Sequence, residues 1–317
     1  MSPPADVLVV GSGGFVGRAL VPALRAAGLR VAAATRSPRG EGERPVDIAD
    51  AGSVRALFAS FDAPPRAVVH LAAIAHKRAS TLPAGAYEAV NHQGVRHVLA
   101  AARAAGAERF VFFSSASVYG DAGRTGAVPE DAELRPVGEY GTSKARAEEA
   151  CRAAIAEGFA CAMLRFPAMY AGDFLLNVRK RAYVPGTGDR VLLRVPGRPP
   201  RHSLCAVANA VDAVRLALGG LPPGAWNVTD GAPYAQDELA RVVGALDGVS
   251  RGASVPRPLA RLALWDAAAA LPAPRRASIR DNYWKLFEGL VLDDSRIRAA
   301  GYAPAARLDA LLSRTGG

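Results

Sequence analysis

Residues 7–17 restrict the fold of this chain more than any other stretch. Val7 to Val10 is a short apolar run that ends in Gly11-Ser12-Gly13-Gly14-Phe15-Val16-Gly17, after which Val16, Leu20 and Leu24 recur at helical spacing. That order reads as strand, glycine turn, helix. Gly11 permits the tight turn, and Gly14 leaves room for a pyrophosphate to reach backbone N–H groups at the positive start of the helix. Gly17 lets the helix pack against the strand. The turn residues Gly11, Ser12, Gly13, Gly14, Phe15 and Val16 are therefore candidate dinucleotide contacts.

Apolar runs alternate with helical patterns along the first half, with strands expected near residues 5–10, 30–35, 44–48, 66–72, 109–114 and 160–165. Such alternation builds an α/β fold with a doubly wound parallel sheet. Ala84–Ala105 and Tyr140–Glu157 read as long alanine-rich helices. After Arg165 the alternation stops and Pro and Gly gather at residues 185–200. Residues 1–165 are thus expected to form a dinucleotide-binding domain and 166–317 mainly a smaller substrate-binding domain, with part of 203–230 completing the sheet. Strand and helix return near Trp226–Val228 and Gln236–Leu246. At 317 residues and 50% apolar content, the chain has ample core for both parts.

Tyr140-Gly141-Thr142-Ser143-Lys144 sets a tyrosine and a lysine one helical turn apart, so both can face one reacting group. Only four of the 39 basic residues are lysine, and eight tyrosines would meet a lysine four residues on only about 0.1 times by chance. Arginine would hold charge at position 144 but could not release a proton. A tyrosine starts near 10, about three units above neutrality, a gap of about 4 kcal/mol. A nearby ammonium moves a pKa by about 1 to 3 units, and an oxidised nicotinamide adds a second positive charge. Tyr140 is accordingly a candidate acid/base and Lys144 its partner. The run Arg109 to Ser115 reads as a buried strand ending in two hydroxyls, Ser114 and Ser115, at the carboxyl end where parallel sheets hold ligands.

Further motifs are Asp47-Ile48, His70-Leu71-Ala72-Ala73, Val90-Asn91, Ser114-Ser115-Ala116-Ser117-Val118-Tyr119-Gly120 and Leu164-Arg165-Phe166-Pro167. In order and spacing the whole set resembles the extended short-chain dehydrogenases/reductases, specifically the NAD(P)-dependent nucleotide-sugar epimerase/dehydratase family, over nearly the full length. The resemblance implies an NAD or NADP cofactor on Gly11 to Val16, with Asp47 and Ile48 at the adenine. Leu71, Ala72 and Ala73 would pass beneath it, and Ser114, Tyr140, Lys144, Phe166 and Pro167 would complete its site. Ser115, four residues before Tyr119 as in the family pattern, would hydrogen-bond the reacting oxygen, and Lys144 would also hold the nicotinamide ribose. Ser117, Asn177 and Arg201 are implied substrate contacts, whereas Asn91 can equally bond backbone. Arg36 stands at the end of the second strand, where NAD enzymes usually carry an acid, and tilts the cofactor choice towards NADP(H).

The second half departs from the family pattern. Where members commonly show Arg-Ser-Phe-Val-His-Val-Asp-Asp, this chain has His202-Ser203-Leu204-Cys205-Ala206-Val207-Ala208-Asn209, with Arg201 one place early. This version is similar to a branch acting in surface-polysaccharide pathways. The segment after Tyr170 is short and puts Asp173 where asparagine often faces substrate, leaving Asn177 to substitute. Three activities stay open: a nucleotide-sugar 4-epimerase, a reductase of 4-keto sugars, and a non-catalytic dinucleotide sensor on the same fold. Dehydration is disfavoured because Ala116 and Ser117, rather than acids, follow Ser115.

The net charge of +10 comes from arginines scattered through every segment, which reads as compositional bias and not as a nucleic-acid surface. Cys151, Cys161 and Cys205 have no paired spacing, arguing for reduced thiols and against a disulfide framework or metal site. No basic stretch followed by an apolar core opens the chain, so a cytoplasmic enzyme is expected. Leu259 to Leu271, interrupted by Arg261 and Asp266, is too short to span a bilayer and reads as a helix packed on the C-terminal part in preference to an interfacial helix. The two long helices are, by the resemblance, the interface of a homodimer.

Overall fold

A computed structural model of the chain describes residues 5–75, 82–120, 124, 126–266, 279 and 283–314. Its centre is a seven-stranded sheet. In chain order the strands and their helices are β1 (Val7–Val10), α1 (Gly17–Ala26), β2 (Val31–Thr35), β3 (Glu43–Pro45), α2 (Ala51–Ala59) and β4 (Ala67–His70). They continue with α3 (Gly94–Ala104), β5 (Arg109–Ser115), α4 (Gly138–Ala156), β6 (Ala160–Phe166), α5 (Leu176–Ala182), α6 (Val207–Leu218), β7 (Gly224–Asn227) and α7 (Gln236–Asp247). The strand order is β7-β6-β5-β4-β1-β2-β3, every pair parallel. All six strands expected in the first half are present, and the seventh is contributed by the second half.

Strands β1 and β4 are buried at every residue, as a parallel sheet covered on both faces requires. One face packs Leu20 and Leu24 of α1 against Val211 and Val214 of α6. The other packs Val54 and Leu57 of α2, Val95 and Leu99 of α3, and Ala147 and Cys151 of α4. Chain order runs outwards in both directions from the β1/β4 pair, so the carboxyl ends of those two strands open a crevice at the point where the winding reverses.

The long helix expected over residues 84–105 has a wide turn, a π-helical segment Glu88–Gln93 that leads into α3. Such a bulge adds a residue to one turn and re-aims a side chain; here it turns Asn91 inwards, fully buried. The second half builds its own core from Tyr170, Leu175, Val178, Leu192, Tyr234, Leu239 and Val243, with α5 packed on α7. The apolar stretch after residue 257 is helical over its described residues and packs on the second half, as expected, through one stripe. Ala260 and Leu264, one turn apart, face the interior, but Leu259 and Leu262 are 60% and 64% exposed. Helical spacing allows only one stripe of that stretch to reach the core; residues 267–271 lie outside the described ones. Among the described residues no helix is long and apolar enough to cross a membrane.

Candidate active site

The glycine turn is held against its neighbours by backbone. The N–H groups of Gly11 and Ser12 both donate to the Ala34 carbonyl, at 2.7 and 3.1 Å, and Leu71 and Ala72 donate to the Val10 carbonyl at 2.8 and 3.1 Å. Gly11 adopts φ 96°, and a Cβ there would lie 2.6 Å from the Ala72 nitrogen, so both left-handed conformation and close approach demand glycine. A Cβ at Gly17 would run into the Ser12 and Gly11 carbonyl oxygens, and one at Gly14 would come within 3.3 Å of the Gly11 oxygen. The result is a glycine-rich cradle, Gly11 to Val16, leading into α1 with Leu71 to Ala73 along its side. It fits a pyrophosphate: backbone can approach closely and the helix start is positive.

Beyond the turn lie the residues expected at an adenosine. Asp47 accepts from the Ala49 N–H at 3.0 Å and sits 3.6 Å from the Arg36 guanidinium. The Ile48 side chain is buried against Gly94 of α3, whose missing Cβ makes room for it, so Ile48 offers a ligand its backbone only. The Arg36 side chain is 78% exposed.

At the end of β5 the chain brings Ser115, Tyr140 and Lys144 together. Ser115 ends the strand and caps the short turn Ala116–Val118 by accepting from the Ser117 N–H at 3.2 Å. Its hydroxyl also donates to Ser117 Oγ at 3.2 Å, and it lies near enough to the Tyr140 phenol to act on its pKa. Gly141 makes this approach possible, since a Cβ there would meet the Ser117 carbonyl oxygen at 2.8 Å. Burial pushes the Tyr140 pKa up, and the Ser115 hydroxyl opposes that rise. Lys144 is 2% exposed and donates to the Phe113 carbonyl at 2.7 Å, with its ammonium 4.7 Å above the Phe112 ring. Burial pushes it down to about 8. The groups that act on the phenol besides burial are Ser115 and Tyr87, while the Lys144 ammonium, expected to draw the tyrosine towards neutrality, is engaged by the Phe113 carbonyl. His70, buried between Phe110 and Phe112, is pushed down to about 3 by burial and by Lys144, so its ring is neutral.

Two residues beside the trio were not read as site residues in the sequence. Asn91 accepts from the Ile74 N–H at 2.7 Å, donates to the Ile74 carbonyl at 3.0 Å and to Ser143 Oγ at 3.2 Å. It pins the segment after β4 to the helix carrying Tyr140, and only the π turn brings it there. Tyr87 lies edge-on to Tyr140 with ring centroids 6.3 Å apart.

Other expected positions are placed differently. The Ser114 hydroxyl turns away from the crevice and donates to Glu148 at 2.6 Å, because alternation along β5 sends it to the face opposite Ser115; a cofactor can meet only its backbone. Phe166 is buried and stacks on Phe113 at 4.3 Å, while Pro167 next to it is partly open. Asn177 donates to the Met169 carbonyl at 3.2 Å, and Arg201, exposed, to the Pro233 carbonyl at 3.3 Å. Both are thus engaged on elements of the second half. Phe15 of the glycine turn packs on Phe174 at 4.3 Å, joining that turn to the tight turn Ala171–Phe174. The three cysteines are free thiols; Cys151 and Cys161, unpaired by spacing, are neighbours across α4 and β6.

A family model described as the NAD-dependent epimerase/dehydratase family matches residues 7–228. A ketoreductase from Stigmatella aurantiaca acting on 4-hydroxy-2-methyl-3-oxo-4-farnesyl-3,4-dihydroquinoline-1-oxide is 28% identical over 93% of this chain and 91% of its own. The dTDP-4-dehydrorhamnose reductase of Streptomyces griseus is 30% identical over 97% of this chain and 92% of its own. Among solved structures, MoeE5 in complex with UDP-glucose and NAD is similar with a TM-score of 0.70 and 25% identity, over 97% of this chain and 96% of that one.

Proposed function

The chain belongs to the NAD-dependent epimerase/dehydratase family of extended short-chain dehydrogenases/reductases, nicotinamide-dependent enzymes, and on that premise we propose that it moves hydride at C4 of a nucleotide sugar, as a 4-ketoreductase. The observation that carries this reading is the meeting of Ser115, Tyr140 and buried Lys144 beside the glycine cradle. A buried ammonium bonded to a carbonyl is a costly arrangement that a fold alone does not need. The reductive direction is supported by two reductase relatives matching more than nine-tenths of the chain. The resemblance of residues 202–209 to a surface-polysaccharide branch supports that biosynthetic setting. Arg36 is the residue that speaks for NADP(H).

The nicotinamide, when bound on Gly11 to Val16 and Leu71 to Ala73, supplies the hydride. Tyr140 gives its phenolic proton to the oxygen that becomes the C4 hydroxyl. Ser115 donates a hydrogen bond to the same oxygen and so holds the carbonyl in line with the phenol. Lys144 places positive charge behind Tyr140 and stabilises the phenolate left when the proton goes. Asn91 keeps the segment after β4 and the helix of Tyr140 in one register. We assign residues 166–317 outside α6 and β7 mainly to substrate recognition, with Ser117, Asn177 and Arg201 as contacts. Two copies would join through α3 and α4.

The test offers the purified protein a 4-keto-6-deoxy sugar nucleotide with NADPH or NADH, and separately UDP-hexoses and UDP-N-acetylhexosamines without added reductant. Consumption of reduced cofactor with formation of the 4-hydroxy sugar is expected. Appearance of C4 epimers without reductant would make the enzyme an epimerase. Tyr140→Phe keeps the ring and loses the proton, so turnover is expected to fall by about 10²-fold or more with cofactor binding retained. A variant above about a tenth of the wild-type rate would remove Tyr140 from the mechanism.

A further inference from the structure

We propose that Glu43, carried by β3, is the acid that selects NAD(H) over NADP(H), a task usually given to a residue at the end of β2. The role rests on the dinucleotide reading above. The end of β2, Ala34-Thr35-Arg36, carries no acid. A carboxylate is nevertheless brought to that place from the neighbouring strand. The Gly11 and Ser12 N–H groups both bond the Ala34 carbonyl, so the second residue of the glycine turn lies over the end of β2. Ser12 Oγ donates to Glu43 Oε1 at 2.9 Å. Glu43 pairs in register with Ala33, one residue back along β2, and its side chain reaches forward to the turn.

Its orientation is held from the other side. The Arg39 N–H donates to Glu43 Oε2 at 2.8 Å and the Gly40 N–H at 3.4 Å, folding the β2–β3 connection back over the strand end. These hydrogen bonds, with that of Ser12, hold the Glu43 carboxyl below the usual range, so it is an anion at neutral pH. An ionised carboxylate has about four acceptor positions, and three donors among the described residues leave one for a ribose hydroxyl. The acid of a dinucleotide fold binds the ribose 2′-hydroxyl beside this same turn. A 2′-phosphate in its place would set two anions together. The groups that could offset such repulsion are Arg39, whose charge acts on the Glu43 carboxylate, Arg18, whose guanidinium donates to the Gly13 carbonyl at 3.1 Å, and Arg36, largely in water and turned to Asp47. Glu43 is the better held of the charges at this spot, which reverses the tilt that Arg36 gives in the sequence.

Calorimetric titration of NADH and NADPH onto the wild-type protein, Glu43→Gln, Glu43→Asp and Arg36→Ala decides the matter without turnover. The wild type is expected to bind NADH about tenfold or more tighter than NADPH, and Glu43→Gln to close that ratio by about tenfold. Glu43→Asp keeps the charge and the direction of preference, and Arg36→Ala leaves the ratio within about twofold. A wild type that prefers NADPH overturns the proposal, as does an unchanged ratio in a folded Glu43→Gln that still binds both. A folded wild type that binds neither overturns the dinucleotide reading itself, and this role with it.

Discussion

Gly141 shows how much one missing methyl group decides. Its hydrogen lets α4 sit against the Ser117 carbonyl, next to Tyr140 on the helix and two residues from Ser115 on the other side. Gly141→Ala must move the helix off the turn, and a misplacement of about 1 Å at a reacting centre costs about 10²-fold in rate. A fall of that size in kcat, with a smaller change in KM, is the expected result of steady-state assay; an unchanged kcat would show that the helix position is set elsewhere. Lys144 carries a cost of its own. Its pKa is about 8 when folded and near 10.5 when exposed, so between those values the unfolded chain holds more protons and stability rises with pH. Below about pH 8 the buried ammonium lowers stability by about 3 kcal/mol relative to an exposed lysine. Lys144→Met is therefore expected to lose activity yet melt higher at pH 7, and to lose the rise in stability between pH 8 and 10. Thermal unfolding at several pH values reads both; a lower Tm at pH 7 would show that the bond to Phe113 outweighs the burial of charge.

Among the elements, α4 is tied to the sheet by ions as well as by apolar packing. Glu148, fully buried, accepts from Arg165 Nε at 2.8 Å and Nη2 at 2.6 Å, from Arg152 at 2.6 Å and from Ser114 at 2.6 Å. Arg165 also donates to the Tyr119 phenol at 2.7 Å, which donates on to Asn227 of the edge strand β7. Removing one partner of a buried pair leaves the other charge without compensation and costs about 3 to 5 kcal/mol. Glu148→Gln should lose stability of that order in urea unfolding; a loss under about 1 kcal/mol would mean that water replaces the missing charge. The same network explains Ser114, which looks like a site hydroxyl in the sequence and serves the helix–sheet joint instead. The π turn before α3 works similarly: its extra residue moves Asn91 inwards to hold the segment along the cofactor crevice.

Across the whole molecule, the second half is drawn together around a buried acid. Asp230 accepts from the Ala206 N–H and Asn209 at 2.7 Å, from Tyr170 at 2.8 Å and from Tyr234 at 3.0 Å, while Asn209 bonds the chain at Ala305 and Ala306. Asn209, unusual for the family, thus anchors the C-terminal segment. The net charge of +10 acts at this scale too. Raising ionic strength from about 0.01 M to about 0.1 M shortens the Debye length from about 30 to about 10 Å. The association rate of an anionic dinucleotide should fall several-fold over that range while its dissociation rate holds, as stopped-flow fluorescence can read. A flat association rate would leave the charge without a role in binding.

The strands, the glycine turn and the Tyr140/Lys144 pair were legible in the sequence because each is a demand that consecutive residues place on themselves. Burial on both faces writes an apolar run, a left-handed φ writes glycine, and one helical turn writes a spacing of four. The ends of β1 to β6 follow from such local rules to within a few residues. What the tertiary structure alone decided are meetings between residues far apart in the chain: Ser12 with Glu43, Ile74 with Asn91, Ser114 with Glu148, Tyr119 with Asn227. No periodicity encodes them, since each depends on which strand lies beside which and in what register. Ser114 marks the limit most clearly. Its residue type suits a cofactor site, but the direction of a side chain is set by the sheet around it, and that sheet exists only once the whole chain has folded.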